Sequence, residues 1–362
     1  MKLFLLIVLY LLLNSCREKV QTEVISAKLT HDVYPDTTWF SECDIIFPET
    51  TEQSLISLIN KIVITPGRIF IHDIRDQKLL LFSRQGKFIR GIYPQGRGNG
   101  EWTGMTDFTV DETKQEIIIA ADRPYKFLYY NYTGNFLREK TSETFYIGIT
   151  QTDNHILAVN ARTTDPKHYL SLLKENEDRM ITDEKIPLEY VYYGDFRCRG
   201  SYLLKSKHLH FTQNGDYKIY RWENNKIKPL FEVDFGKYNY SPELLKKEPD
   251  SPRTQNKILS IINVKETDKY LFFNTNKTGI FVYDNTSHQI TYADMIRHTD
   301  LGINLWNHIA TEDLNHEIIA YSCDIRQLQR KFFTVDSELP IVKRIKEAEE
   351  DDNPVLFLYK SK

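Results

Sequence analysis

Cysteine is scarce in this chain: four in 362 residues, at positions 16, 43, 198 and 323. No two form a C-x-x-C pair, which excludes a zinc ribbon. A basic surplus is also missing. Lys and Arg number 47 against 50 Asp and Glu, a net charge of −3. That is not the footprint of a protein that binds nucleic acid. There is no G-x-S-x-G elbow and no ordered Ser/His/Asp set, so nothing in the sequence announces a nucleophilic hydrolase. The one long apolar run, residues 3–13, falls short of the roughly 20 residues that a membrane-crossing helix needs.

That apolar run follows Lys2, which makes residues 1–15 a secretion signal. Leu13-Asn14-Ser15-Cys16 resembles a bacterial lipobox, with Cys16 as the residue that would carry the acyl chains and hold the protein to a membrane. Residues 16–40 are polar and lack a clear period, as expected of a lipidated tether leading into a folded body over residues 41–362. Tyr (22) and Phe (20) are plentiful, which favours strands.

The body repeats. Leu80-Leu81-Phe82-Ser83-Arg84-Gln85-Gly86-Lys87-Phe88 aligns with Leu128-Tyr129-Tyr130-Asn131-Tyr132-Thr133-Gly134-Asn135-Phe136. The offset matches one propeller blade of about 40–50 residues. Upstream, Ile69 to Asp73 answers Ile117 to Asp122. Looser strand pairs follow: 155–160 with 169–173, 208–212 with 217–222, and 270–274 with 279–284. A sixth pair starts at 317–321, with 331–335 expected as its next strand. Only 242–247 reads as helical, with Pro242 in a first turn capped by Ser241. Residues 343–352, a basic run followed by an acidic one, read as an exposed loop. The expectation is an all-β, six-bladed β-propeller of four-stranded antiparallel blades. Its ring would be closed by a strand at 44–47 and another at 354–359. Cys43 and Cys323 are a candidate pair if the chain ends share a blade.

Four stretches resemble the six-bladed β-propeller lipoproteins widespread in Bacteroidota, an NHL-like family. They are Ile46-Phe47-Pro48-Glu49-Thr50 with Ser54-Leu55-Ile56, the blade from Ile69 to Phe88, the loop Gly96-Arg97-Gly98-Asn99-Gly100-Glu101-Trp102, and Asp352-Asn353-Pro354-Val355-Leu356. Asn99 and Trp102 depart from that family's usual Pro and Phe or Tyr. The resemblance implies an outer-membrane lipoprotein, periplasmic or surface-exposed. It implies no common activity.

The chemistry-bearing candidates are few. The glycine loop could offer backbone N–H groups and Arg97 to a phosphate, but it lacks a Gly-Lys-Ser/Thr ending and a following helix, and reads as a connection between blades. Asp73, Asp122, Asn160, Asn214 and Asn274 or Asn276 sit at comparable turns. They could ring the channel with oxygens suited to calcium, or simply cap their own turns. His208 and His210 share a strand face, which is a two-ligand start without a third. Arg75, Arg84, Arg90, Arg97 and Arg123 concentrate charge in the first two blades, as a surface for an anionic partner or as solvated groups. The expected role is a membrane-anchored, monomeric binding module for a protein, peptide or glycan, with a channel-face set of Asp73, Arg75, Arg97, Asp122, Arg123, Asn160 and Asn274, and no cofactor. The alternative is a calcium-type, metal-dependent hydrolase or lyase centred in the channel.

Overall fold

A computed structural model describes residues 22–93, 96–122, 124–152, 155–160, 170–186, 200–213, 215–224, 226–240, 256–333 and 338–362. The lipobox with Cys16, the expected helix at 242–247, and Arg123, Cys198 and Asn214 lie outside them.

The architecture is an all-β propeller of antiparallel sheets. The first unit runs Ile59–Ile64, Arg68–Asp73, Lys78–Ser83, Phe88–Ile92, each strand paired with the next. The second repeats it with Met105–Asp111, Glu116–Asp122, Tyr125–Asn131 and Phe136–Thr141. Tyr146–Gln151 through Met180–Ile186, Leu203–Lys205 through Lys226–Asp234, and Ile261–Glu266 through Gln289–Ala293 follow the same meander. The strand runs expected from the sequence fall on these elements because runs such as Lys78–Ser83 are buried along almost their whole length. Stacked sheets cover both faces, which selects continuous rather than alternating apolar residues.

The chain ends meet. Phe40–Ile46 pairs antiparallel with Val355–Ser361, which continues the sheet of Ile318–Cys323 and His308–Asp313. Two of the resembling motifs touch there. The fully enclosed Asn353 side chain accepts from Ile56 N (2.7 Å) and donates to Glu49 O (3.0 Å) and Ser54 O (2.9 Å). Gly86, at φ +85°, turns under Phe47, whose carbonyl oxygen would lie 2.4 Å from any Cβ.

Three expectations need correction. Of the strand expected at 331–335, residues 334 and 335 lie outside the described residues, and 331–333 do not form a strand. Ile325–Phe332 is a helix, with Ile325, Leu328 and Phe332 buried at helical spacing, and Phe333 is left 84% exposed. Residues 343–347 belong to a second helix, Pro340–Glu347, which buries Val342 and Ile345 and starts on a proline that its first turn tolerates. Cys43 and Cys323 are both free thiols. They do share a sheet, but Cys43 faces Tyr359 and Cys323 faces Val355 on opposite edges of the strand between them. Two strand spacings of about 4.8 Å and four residues of offset place them beyond disulfide reach. Part of the segment read as a tether is also built into the fold. Val24–Ser26 adds a parallel strand to Lys226–Asp234, and Val33–Pro35 adds one to Met295–His298.

The core lies between neighbouring sheets. Phe70, Leu81, Trp102, Phe108 and Leu128 fill one such layer, all without solvent exposure. Burying side chains of this size contributes roughly 1.5–3 kcal/mol each.

Candidate functional site at the propeller axis

Each unit turns its first strand toward the axis, and these strands carry isolated charges among apolar residues. Lys61, in Ile59–Ile64, has no solvent exposure. Its ammonium lies 3.4 Å from Asp107 and 3.2 Å from Glu312 and donates to Phe108 O at 2.9 Å. Asp107 also accepts from Ile149 N (2.9 Å), and Glu312 from Lys205 N (3.1 Å). Lys265 pairs with Asp313 beside them. Lys61, Asp107 and Glu312 therefore tie the first strands of three units, the backbone N–H groups of Ile149 and Lys205 attach two more, and Lys265 with Asp313 forms a second pair. Burial works against the Lys61 ammonium, but the two carboxylates outweigh it and raise its pKa. Burial pushes Asp107 up to about 6, against the lowering by the Lys61 ammonium, and the Glu312 charge adds a smaller push upward.

Two mouths open at opposite ends of these first strands. One is a cavity of about 760 Å³ lined by charges of both signs, among them Asp111, Glu112, Lys114, Lys205 and Asp313. The other, about 440 Å³, is lined by Asn60, Asn263, Asn274, Asn276, Asn307, Trp306 and His308. At this second mouth the amides are fixed by bonding. Asn263 Nδ2 donates to Asn274 Oδ1 (3.4 Å), Asn263 Oδ1 accepts from Ser201 N (2.7 Å), and Asn274 Nδ2 donates to Gly279 O (2.8 Å). His308 Nδ1 bonds the same Asn274 oxygen. Burial and the Lys265 charge hold His308 down to about 3, so its imidazole is neutral: Nδ1 carries the proton and Nε2 is an acceptor. Trp306 is 42% exposed.

The sequence candidates scatter around this frame. Asp73 is fully buried and accepts from the backbone N–H groups of Ser57, Leu58, Arg75 and Asp76. Asp122 and Asn160 end the second strands of their units, one strand out from the axis. Arg75 and Arg97 are exposed. Arg84 pairs with Asp44 and Arg90 bonds Asn135. Among the described members of the channel-face set only Asn274 lines either of these two mouths. The glycine loop has its N–H groups taken by the chain's own carboxylates: Gly98 N by Glu101 and Gly100 N by Glu139, both at 2.8 Å. His208 and His210 meet on Glu266, each at 3.0 Å, and Arg221 completes that site as a cation. Burial works against the Glu266 carboxylate, yet His210, Arg221 and His208 lower its pKa to about 2. Among the described residues no group of three or more His, Cys, Asp or Glu is arranged to hold a metal ion. Lys61, Asp107, Glu312, Asn60, Trp306, Asn307 and His308 escape the sequence reading. Lys61 carries a signal, a lone charge among isoleucines and a valine, whereas Asp107 and Glu312 share their strands with other acidic and polar residues.

Comparison with known proteins bears on the fold. No curated protein matches the chain. A Bacteroides fragilis protein provisionally described as exported superposes with a TM-score of 0.74 at 20% identity, over 94% of this chain and 99% of that one. A structural genomics protein of unknown function from Bacteroides thetaiotaomicron superposes with a TM-score of 0.50 at 8% identity, over 91% and 75%. Residues 29–360 match the profile of the family described as a domain of unknown function, DUF4934. The chain belongs to the DUF4934 family.

Proposed function

We propose that this protein is a membrane-anchored, extracytoplasmic binding module. Its body is a six-bladed ring closed by Phe40–Ile46 against Val355–Ser361, and acyl chains on Cys16 hold it to the outer membrane as a monomer. The observation that carries the binding role is the ionic network. Asp107, Glu312 and Asp313, the acidic groups of this network, are each paired with a lysine ammonium. A metal-dependent hydrolase or lyase needs such carboxylates open to its ion. What the propeller offers instead is its two mouths, where loops of several units converge on a rigid frame. The secretion signal and the exported relative accord with a site outside the cytoplasm.

Two experiments test this. Cys16→Ser is expected to move the protein from the membrane fraction to the soluble fraction, and continued membrane association would count against the anchor. The purified full chain, titrated with oligosaccharide and peptide arrays with and without EDTA, is expected to bind one class saturably and unchanged by the chelator. A ligand consumed in a chelator-sensitive way would replace the binding reading with the enzymatic one.

A further inference from the structure

We infer that the smaller mouth is a saccharide site for neutral sugars, with Trp306 as its stacking platform. This deepens the binding reading and rests on it. The lining supplies acceptors more than charges. His308, only 8% exposed, presents an Nε2 without a partner, and Asn60 Oδ1 is likewise buried and unpartnered. Asn307, exposed at the mouth, donates one of its two amide N–H groups to Ser322 Oγ at 2.6 Å. Amides that are both donors and acceptors, beside an imidazole acceptor, suit a ligand whose groups also do both, as a row of hydroxyls does. The one cationic side chain in the lining, Lys277, opposes a cationic ligand, and burial holds its pKa below the ordinary value.

The exposed Trp306 indole lies beside these acceptors. An aromatic ring with an apolar face and a polar edge matches a pyranose, which has a C–H face and a hydroxyl rim. A peptide fits less well. The mouth shows strand ends and turns rather than a free strand edge, and it has neither a long apolar groove nor an arginine cluster to read a chain. The lining is also pre-set: the Asn263–Asn274–His308 chain holds its groups before any ligand arrives, which reduces the ordering cost of binding. The opposite mouth, with its mixed charges, has one amide, Gln151, and no indole.

The test uses the full chain in detergent against an array of neutral oligosaccharides, an array of acidic ones and a peptide array. Trp306→Ala probes the site, Leu314→Ala probes the opposite mouth, and thermal melts check that both variants fold. The expected result is saturable binding of neutral oligosaccharides, weakened about tenfold or more by Trp306→Ala and unchanged by Leu314→Ala. Neutral-sugar binding that Trp306→Ala leaves intact overturns the inference, as does binding of acidic sugars or peptides alone. In both of those cases the binding-module reading survives. Retention of nothing on any array overturns both.

Discussion

Replacing Lys61 by Met keeps the length of the side chain and removes its charge. The ammonium lies 3.4 Å from Asp107 and 3.2 Å from Glu312. At an effective dielectric of about 20, each attraction is worth about 5 kcal/mol before the burial cost of the ions is subtracted. Removing one partner of such a group leaves like charges enclosed together, a loss of about 3–5 kcal/mol. The loss should depend on pH. Burial already raises Asp107 to about 6, and without Lys61, which lowers it, Asp107 becomes harder to ionise. A carboxyl whose pKa is raised in the fold holds its proton there while the unfolded chain releases it, so folded stability falls as pH rises. The Lys61→Met deficit is therefore largest at pH 7 and smaller at pH 5. Urea unfolding followed by circular dichroism at both values measures it, and adding Asp107→Asn should recover part of the loss at pH 7. A deficit under about 1 kcal/mol, or one equal at both pH values, would refute the network as a central tie.

Asn353→Ala removes three bonds to the 49–56 segment from an enclosed side chain and should cost about 3 kcal/mol in the same unfolding assay, with the ends of the chain becoming protease-sensitive first. A loss no larger than that of an exposed substitution would show that the two motifs do not fasten the ends. Acid should weaken the protein through His72 and His308, both held down to about 3 by burial and a neighbouring lysine charge. Their imidazoles stay neutral in the fold while the unfolded chain takes up protons near 6.5. Each contributes stability that is complete above 6.5 and lost toward pH 3, at about 1.4 kcal/mol per unit. Asp107 opposes about one histidine's share of this below pH 6, so the urea midpoint should still fall from pH 6 to pH 4. A flat or rising midpoint would contradict the burial of those rings.

The strand pattern was legible because a propeller blade writes itself in local terms: short apolar runs, turn residues, and a repeat long enough to detect. Gly86 and Gly134 sit at equivalent turns for the same backbone reason, each at positive φ. The helix Ile325–Phe332 was not legible from composition, since Lys331-Phe332-Phe333-Thr334-Val335 has strand chemistry. Only the spacing of Ile325, Leu328 and Phe332 reveals the helical face, and that face exists because the neighbouring sheet is there to bury it. The axis was the least legible part. In Ile59-Asn60-Lys61-Ile62-Val63-Ile64, alternation puts Lys61 on the face of Ile59 and Val63, while its charge alone argues for solvent. Its burial follows from two facts that no single strand contains: the strand is the innermost of its sheet, and Asp107 and Glu312 arrive from units far away in the chain. Asp73 misleads in the opposite sense. It lies at a conspicuous, repeated position, yet its carboxylate is spent on four backbone N–H groups of its own unit. Repetition at turns therefore marks what every blade needs in order to close. The residues that distinguish this propeller are the ones that do not repeat: a lysine among isoleucines, and a tryptophan left exposed beside asparagines whose bonding is already arranged.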